Sequence, residues 1–493
     1  MIEPWIREEM DTVDVNDQRL NKRLTEVLSQ LSGHPTASIP AACGGHAEMA
    51  AAYRLFDNDK VRFDNVLQPH IHATRRRMAQ QPVVVLPQDT TEIELTRPEH
   101  QVVGAGALDD GARRGIFLHL LYAFTPDGTP LGTVHGTVWA RPDAAAPESS
   151  QRSAPRKPAR IEDKESYRWI EGFREAAAQA QRTPKTHCVS LTDSEGDIYE
   201  LLAEARDKPA NLDWIVRACQ DRALAGGDRS DTDPSELAEP AAHHLRQQVL
   251  SQEVLFTQTI HVRGRKAKLT CEVRGRRQPR RSRKAQVEVR AARVTLRPPW
   301  RPDRKLPEVT VHVVLVRETH PPADDVPVEW VLLTSLPIAN VEQVRQVIQY
   351  YRVRWMVEIV FRTLKSGCRI EQRRFEHVNR FLPCLAVYLI VTWRSLYVCR
   401  LARAFPEVGC EMLFEPAEWK SVYRVVRGQP PSANPPSLSD MVGMVAQLGG
   451  YVNRKRADKP GPQTIWLGLQ RVHDIALCWD LFGPETRMEQ KLV

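Results

Sequence analysis

The chain has 493 residues, 42% of them apolar and 26% charged, which is enough to bury a sizeable core and excludes disorder of the whole chain. Its longest mainly apolar run, residues 382–393, has 12 residues. A membrane span needs about 20, so we expect no membrane partner, and the first residues lack the pattern of a secretory signal. Nine cysteines without a Cys-x-x-Cys pair argue against a disulfide framework or a zinc ribbon and favour a reducing cytoplasm.

The positive charge is concentrated in one segment. Lys and Arg number 69 against 61 Asp and Glu, a net charge of +8. Residues 261–305 hold 17 Lys and Arg and 3 Asp and Glu, an excess of 14 that leaves −6 for the rest of the chain. Such a concentration predicts a polyanionic partner, because each neutralised phosphate releases condensed counterions. A solvated basic loop is the alternative.

The first 78 residues have the pattern of helices. Apolar residues recur at helical spacing over residues 16–31 and 47–56, and the basic residues of the first of these helices fall on the opposite face. A small helical module with a basic face fits DNA binding, and it equally fits an ordinary solvated bundle.

Beyond residue 82 the pattern changes to strands. The apolar run 83–87 predicts a strand buried on both faces, and strands over 115–124 and 131–139 follow around a Pro-Asp-Gly turn. A helix over 164–182 and a strand over 187–191 come next. Three strands in succession, a helix and another strand predict a mixed sheet rather than a doubly wound fold.

The segment 214–337 has the pattern of strands and turns, and residues 142–159 have that of a flexible loop. Asn340 has the position of an N-cap for a long helix that ends near Gly367, and the chain beyond residue 375 is again helical. The alternating runs within the strand-rich segment are 254–262, 267–273, 286–296, 309–317 and 329–336.

Two carboxylates closely follow predicted strands. Asp89 comes after the first buried strand and Asp193 after the strand 187–191. Carboxylates held at neighbouring strand ends could share hard, oxygen-preferring cations such as Mg²⁺. The alternative for each is an Asp that caps the turn after its strand.

A third carboxylate lies on the long predicted helix. At about 100° per residue, four polar side chains fall within about a 60° sector, and the apolar residues lie opposite. A solvated face with an ion pair between Arg354 and Glu358 is the alternative, but the flanking aromatic residues are unusual for such a face. The four residues are Tyr351, Arg354, Glu358 and Lys365.

These residues resemble a known signature. Tyr351-x-x-Arg354-x-x-x-Glu358, followed after six residues by Lys365, is similar to the Tyr-Arg-Glu-Lys motif of the insertion-sequence-four family of bacterial DDE cut-and-paste transposases. The resemblance covers nearly the whole chain in the same order. Its other parts are residues 17–20, 53–56, 89–91, 164–169, 193–199, 329–335 and 448–451 with Trp466.

The resemblance implies an α/β fold with a ribonuclease-H-like, mixed-sheet catalytic core, an inserted antiparallel β domain, and helical domains at both ends. The implied domains are a DNA-end-binding domain over 1–78, a catalytic domain over 79–375 with its insertion at about 214–337, and a dimerisation domain over 376–493.

The resemblance also implies the catalytic residues. Asp89, Asp193 and Glu358 correspond to the catalytic, metal-binding DDE triad, which would hold two Mg²⁺ ions per site, with Mn²⁺ as a substitute. The family often has Arg after the second Asp, whereas this chain has Ser194, which removes one expected DNA contact. Glu195 and Asp197 lie nearby but farther from the strand end, so Asp193 is the preferred residue.

Five further residues are implied to bind DNA. In the family a Trp at the position of Trp330 stacks on a base that leaves the duplex during hairpin formation; a core aromatic is the alternative. Tyr351, Arg354 and Lys365 would hold phosphates beside the scissile bond, and Arg217 is a weaker phosphate ligand.

The implied partners are double-stranded DNA, as transposon ends and as target, and a second copy of the chain in a paired-end complex within the bacterial cytoplasm and nucleoid. Apolar residues over 438–481 fit a role in the dimer or, alternatively, the core of their own subunit. Two other functions remain open: a catalytically silent DNA-binding repressor derived from a transposase, and a ribonuclease-H-like nuclease that cuts without joining.

Overall fold

The structure, a computed structural model, describes residues 2–109, 112–142, 160–225, 243–262, 282–323, 325–452 and 460–483. The chain divides into two compact units. The first unit consists of Met1–Pro82, Asp89–Gln151 and Trp355–Val493, and the second of Val83–Gln88 and Arg152–Arg354. The predicted loop 142–159 and the predicted strand 267–273 lie outside the described residues, apart from Pro142.

Helices form most of the first unit and strands form the centre of the second. The helices are α1 (Pro4–Glu9), α2 (Gln18–Gly33), α3 (Ile39–Ala42), α4 (His46–Phe56), α5 (Phe63–Ala79), α6 (Arg168–Arg182), α7 (Tyr199–Glu204), α8 (Leu245–Leu250), α9 (Val341–Val353), α10 (Trp355–Arg362), α11 (Val378–Ala404), α12 (Pro416–Arg427), α13 (Leu438–Leu448) and α14 (Pro462–Phe482). The strands are β1 (Val83–Glu94), β2 (Gly106–Ala107), β3 (Arg114–Phe124), β4 (Pro130–Trp139), β5 (His187–Thr192), β6 (Leu212–Arg217), β7 (Phe256–Val262), β8 (Arg283–Leu296), β9 (Val309–Glu318) and β10 (Glu329–Thr334).

The N-terminal part is helical, as predicted. The Asp17 side chain accepts from the backbone N–H of Arg19 and begins α2. On its apolar face, Leu24, Val27, Leu28 and Leu31 are fully buried and Leu20 is partly buried. Arg19 and Lys22 are exposed on the other face, whereas Arg23 forms an ion pair with Glu48 of α4. The basic face therefore presents fewer free charges than the sequence indicates.

A buried polar network joins three elements of the first unit. Glu9 of α1 and His70 of α5 are almost inaccessible, and His70 Nδ1–H donates to the Glu9 carboxylate. The backbone N–H of Thr133 in β4 donates to His70 Nε2 at 3.0 Å, so this nitrogen carries no proton and the imidazole is neutral. Arg77 donates to the Glu9 carboxylate at 2.9 Å and offsets its charge. The network fixes α1 and α5 against β4 in one protonation state.

Acidification is expected to destabilise this network. Burial lowers the pKa of His70 below its ordinary value of 6.5. Burial alone would raise the pKa of Glu9, but the contacts with His70 and Arg77 have the larger effect and lower this pKa below its ordinary value of 4.5. The pKa values of His70 and Glu9 are both lower in the folded state than in the unfolded chain. The network therefore stabilises the fold fully above the ordinary pKa of histidine, and this stabilisation is lost as the pH falls. The unfolding temperature should therefore drop between about pH 7 and pH 5.

The substitution Glu9→Gln tests this network, because it leaves Arg77 without its buried partner. We expect a cost of about 3 kcal/mol in the free energy of unfolding at neutral pH and a shallower loss on acidification. Glu26→Gln, which removes a partly exposed partner of Arg23, is the matched control and should cost less than about 1 kcal/mol. An unfolding temperature that does not change with pH in the unsubstituted chain would contradict the assignment.

Helix α11 is the central element of the first unit and packs against α5, β4 and α13. With 27 residues it is long and apolar enough to cross a membrane by length and composition. However, 83% of its most apolar window is buried inside the protein, as in the core helix of many water-soluble domains. The indole N–H of Trp393 donates to the carbonyl of Pro130 at 3.1 Å and joins the helix to the start of β4.

The second unit is built on a mixed sheet, as predicted. The first half of β1, β5 and β6 are parallel, and β10, β9, β8 and β7 continue the sheet with antiparallel pairings. Helix α6 packs against β5 and β6, and α8 packs against β8 and β9. The β-rich segment thus extends the sheet beyond β6. Each of its described strands, β10, β9, β8 and β7, is antiparallel to the strand before it in the sheet.

Strand β1 is longer than predicted. It runs to Glu94 instead of ending at residue 87, because β3 pairs with it beyond the stretch that pairs with β5. Asp89 therefore lies inside a strand, and the prediction that it follows the strand is wrong. The β3–β4 hairpin matches the prediction, with Gly128 at a φ of 87° in its turn.

The cysteines that the structure describes are free thiols. Six of these eight are buried, and Cys219 and Cys478 are exposed. Burial raises the pKa of the Cys384 thiol to about 12, so it stays protonated and unreactive at neutral pH. The six buried thiols thus fill space in the core.

Candidate active site

Asp193 directly follows β5 in the second unit. Its Oδ1 accepts from the backbone N–H of Glu195 at 2.8 Å and caps a single helical turn over Ser194–Gly196. A Cβ at Gly196 would lie 2.5 Å from Thr192 Cβ, so only glycine allows this tight turn. The capping role considered for Asp193 is present, but it uses one oxygen. Within the described part of the chain, Oδ2 accepts no hydrogen bond and remains available.

Asp89 is half-buried within the first-unit part of β1. Its Oδ1 accepts from the backbone N–H of Thr90 at 2.8 Å. The hydroxyl of Thr90 is hydrogen-bonded to Nδ1 of the buried His119 at 2.9 Å, which fixes the residue beside Asp89.

The strand register relates the two aspartates. In the second unit, Pro87 of β1 pairs with Leu191 of β5 in a parallel ladder. Asp89 comes two residues after Pro87, and Asp193 comes two residues after Leu191.

Arg217 lies at the end of β6, next to Asp193 at the end of β5. Thr192 pairs with Val216 at the end of the parallel β5–β6 ladder, and Asp193 and Arg217 follow these residues directly. The Arg217 guanidinium donates to the carbonyl of Glu329 in β10 at 3.3 Å. The contact directs the arginine toward the strand that carries Trp330.

Tyr351 connects these residues within the second unit. Its ring is buried and lies 5.8 Å from the ring of Trp330 at an angle of 62°. Burial raises the pKa of Tyr351; Arg354 and Arg217 oppose this effect, and the Asp193 carboxylate adds to it. The phenol is therefore within electrostatic range of both arginines and of Asp193. Arg354, which is also buried, hydrogen-bonds to it.

Trp330 is only partly buried. Its neighbours Val331, Leu332 and Leu333 are in the core, whereas one part of the indole faces solvent. Both the stacking role and the alternative of a core strand aromatic are compatible with this partial burial. Trp330 thus keeps part of its surface accessible while its ring contacts that of Tyr351.

The predicted long helix is present and has a local irregularity at Arg354, whose backbone stays right-handed helical at φ −48° and ψ −37°. Asn340 caps it as predicted, its side chain accepting from the N–H of Gln343, but α9 ends before Arg354 and α10 begins at Trp355. A π-helical turn over Thr363–Gly367 then ends the helix at the predicted residue. The boundary between the units falls after Arg354, so one unit contains Tyr351 and Arg354 and the other Glu358 and Lys365.

Glu358 and Lys365 lie in the first unit. Glu358 is half-buried, and the apolar residues Val357, Val360 and Leu364 opposite it are fully buried, as predicted. Lys365 lies in the π-helical turn, an arrangement that is frequent at functional sites. Its Nζ is 3.4 Å from an oxygen of Glu371.

Sequence reasoning missed Glu371. The oxygen that contacts Lys365 also accepts from the backbone N–H of Glu94 at 3.1 Å, so Glu371 holds the lysine beside the end of β1. Glu94 and Glu371 are 277 positions apart, and no local pattern in a single sequence indicates such a contact.

The predicted basic segment is only partly described, since residues 263–281 lie outside the described ranges. Several arginines of the remainder are paired with carboxylates. Arg283 contacts Glu318 at 2.8 Å, and Arg301 contacts Glu200 at 2.6 Å. These ion pairs neutralise part of the positive charge from which the sequence predicts a polyanionic partner.

Three protein-family models match the chain. A model described as transposase DNA-binding matches residues 2–61, one described as transposase DDE domain matches residues 170–386, and one described as transposase Tn5 dimerisation domain matches residues 390–478. The chain belongs to the Tn5-like DDE transposases. The DDE match includes Asp193 and Glu358, whereas Asp89 falls in the interval that none of the three models covers.

A solved structure is also similar to the transposase. It is the cryo-EM structure of a piggyBac transposase synaptic complex with hairpin DNA, 10% identical in sequence, with a TM-score of 0.35. The similarity covers 82% of this chain and 72% of that chain.

DDE transposase domains depend on a divalent metal ion, so the donor atoms of the site have to suit one. The candidate ligands are carboxylate oxygens, which hard cations such as Mg²⁺ prefer, and Asp193 Oδ2 is available. Across the described residues, no three His, Cys, Asp or Glu side chains are grouped closely enough to hold a metal ion together. The donor chemistry fits, whereas a preassembled group of three ligands is not found there.

Proposed function

We propose that the transposase binds repeats at transposon ends, cleaves them, and joins the freed 3′-hydroxyl ends to target DNA, using Asp89, Asp193 and Glu358 in a ribonuclease-H-like core. The observation that carries the proposal is the match to the transposase DDE domain over residues 170–386, which includes Asp193 at the end of β5 and Glu358 on α10. Incubation with end-bearing DNA and a plasmid target tests it: recovery of joined products supports the proposal, and cleavage without joining favours a nuclease.

The three carboxylates would hold two Mg²⁺ ions, with Mn²⁺ as a substitute. When bound, the metal supplies activation of water and stabilisation of the leaving oxygen. The chain's own contribution is to hold the carboxylates in place: the cap to Glu195 orients Asp193, and the bond from Thr90 orients Asp89.

Tyr351, Arg354, Lys365 and Arg217 would bind phosphates of the transposon end. Arg354 is buried beside Tyr351, so its guanidinium is preorganised and loses little entropy on binding. Lys365 is held by Glu371 and provides a point charge. These residues lie in both units.

Trp330 would accept the base that leaves the stack when the freed 3′-hydroxyl attacks the opposite strand and forms a hairpin. Stacking on an aromatic ring is worth about 1–3 kcal/mol per base. The partly exposed indole, whose edge contact with Tyr351 limits its rotation, supports this role.

Trp330→Ala is expected to slow hairpin formation about tenfold or more and to change first-strand nicking by less than about threefold, because only the hairpin requires an unstacked base. Time courses on end-labelled DNA separate the two products. Trp300→Ala removes an exposed tryptophan of the same unit and is the matched control. Equal slowing of both steps would assign Trp330 a structural role instead.

We further propose that two copies and two DNA ends form the cutting complex in the bacterial cytoplasm, on nucleoid DNA. The matched dimerisation model covers residues 390–478, from within α11 to within α14, and so includes Leu477 but ends before Leu481. Val442, Val445 and Val472 are buried within their own chain, as the alternative interpretation expects, whereas Leu477, Leu481 and Phe482 on α14 are exposed. We therefore assign the dimer contact to the end of α14.

A further inference from the structure

Asp197 is the most completely bonded carboxylate of the second unit. Its side chain is fully inaccessible, and Oδ2 accepts from the backbone N–H groups of Cys219 and Gln220 at 2.9 and 3.0 Å. Oδ1 accepts from Arg222 through Nε, at 3.2 Å, and through a terminal nitrogen. Because every oxygen is engaged, Asp197 has no capacity left for a metal ion. This agrees with the choice of Asp193 over Asp197 as ligand.

The bonds of Asp197 join two loops. One loop is the turn after β5, which begins at Asp193, and the other follows Arg217 at the end of β6. The Asp197 carbonyl also accepts from Arg222 at 2.9 Å, and the Cys219 thiol lies 3.4 Å from the carbonyl of Ser194. The two loops are therefore connected at several points beyond the last strand pair.

A third strand is tied to the same loops. The backbone N–H of Ala218 donates to the carbonyl of Val331 in β10, next to Trp330, at 2.8 Å. Arg222 lies over the ring of Tyr199, with 5.5 Å between the guanidinium carbon and the ring centroid, and its carbonyl accepts from Leu245 at 2.9 Å. The Asp197–Arg222 pair is thus enclosed by well-packed groups, which restricts its movement.

We propose that Asp197 is a positioning residue, which acts with Arg222 to fix the direction in which Asp193 and Arg217 leave their strands. This inference rests on the proposed roles of those two residues in DNA cleavage. The pair is buried and multiply bonded, so loss of one member leaves an unpaired charge and frees both loops. Partners that orient metal ligands typically affect metal affinity or activity about 10–100-fold.

The test compares the Asp197→Asn variant with the unsubstituted chain, both at full length. The NH2 of the amide would face either the two backbone N–H groups or the Arg222 guanidinium, which are all donors, and the charge that pairs with Arg222 would be lost. We expect the Mg²⁺ concentration for half-maximal cleavage to rise about tenfold or more, with binding of end DNA changed less than about threefold. A purely structural role would reduce the active fraction without moving the metal midpoint.

Glu204→Gln is the matched control, because Glu204 also binds an arginine, Arg174, but does so in an exposed ion pair away from the strand ends. Its metal midpoint should be unchanged. If Asp197→Asn does not fold, Arg222→Lys is used, which keeps the charge but loses the two-pronged contact. It should shift the midpoint in the same direction by a smaller factor.

Hydrogen exchange provides a second measurement that does not require activity. The amides of Cys219 and Gln220 should exchange at least about tenfold faster in Asp197→Asn, and those of the 194–197 turn should follow. If the unsubstituted chain cuts no DNA but these amides exchange faster in Asp197→Asn, the proposed function is wrong, whereas the role of Asp197 in holding the two loops together is supported. An unchanged metal midpoint, or exchange confined to the two directly bonded amides, would overturn the proposal.

Discussion

Replacing Asp193 with alanine is expected to reduce cleavage of transposon-end DNA by about 10³-fold or more. The substitution removes a carboxylate that we propose as a metal ligand, while the capped turn loses only one hydrogen bond. Binding of end DNA should be unchanged or slightly tighter, because a negative charge near the phosphates is lost. The same loss is expected for Asp89→Ala and Glu358→Ala.

Two measurements on the same preparation test this prediction. Cleavage of labelled DNA tests the expected loss of activity, and a gel shift tests the expected retention of DNA binding. Glu195→Ala is the matched control: this carboxylate lies two residues from Asp193, is exposed, and pairs with Arg168 at the surface. It should cut at nearly the original rate. An Asp193→Ala protein that cuts within about tenfold of the unsubstituted chain would remove Asp193 from the triad.

The double substitution Leu477→Arg and Leu481→Arg is expected to abolish paired-end complexes and cleavage while leaving single-end binding intact. Both side chains are 56% exposed, so arginine does not disturb their own subunit, but two charges cannot be buried in an apolar contact between copies. Val425→Arg on α12, equally exposed at 56%, is the control and should assemble normally.

Ends of two lengths reveal pairing by a mixed-length species in a gel shift, and light scattering gives the mass of the free protein. Persistence of the mixed-length species in the double variant would place the dimer contact elsewhere. Truncation before Leu438 is less informative, because it deletes Leu438, Met441 and Val445 from a buried cluster and would damage the fold itself.

Local patterns predicted much of this chain. The apolar runs located β1, β3 and β5, the N-cap residue located the start of α9, and the apolar face of α10 is buried as its spacing indicates. Each of these features depends on residues within a few positions of one another, so a single sequence contains the information.

Features that depend on distant residues were not predictable. Strand β1 extends past Asp89 because of its pairing with β3, and the Asp197–Arg222 and Lys365–Glu371 contacts join separate segments. The helix irregularity at Arg354 has no Pro or Gly as a signal. The roles of the triad followed from family resemblance, since an Asp beside a strand more often serves as a cap.

The position of Asp89 inside β1 also bears on how this gene can change over generations. Insertions and deletions accumulate in surface loops, where the chain can absorb a change of length. Within a paired strand, one added or lost residue exchanges the two faces for every residue beyond it. A length change between Val83 and Glu94 would turn Asp89 or its neighbours to the opposite side. This stretch should therefore keep a constant length among descendants even where its apolar residues are exchanged for one another.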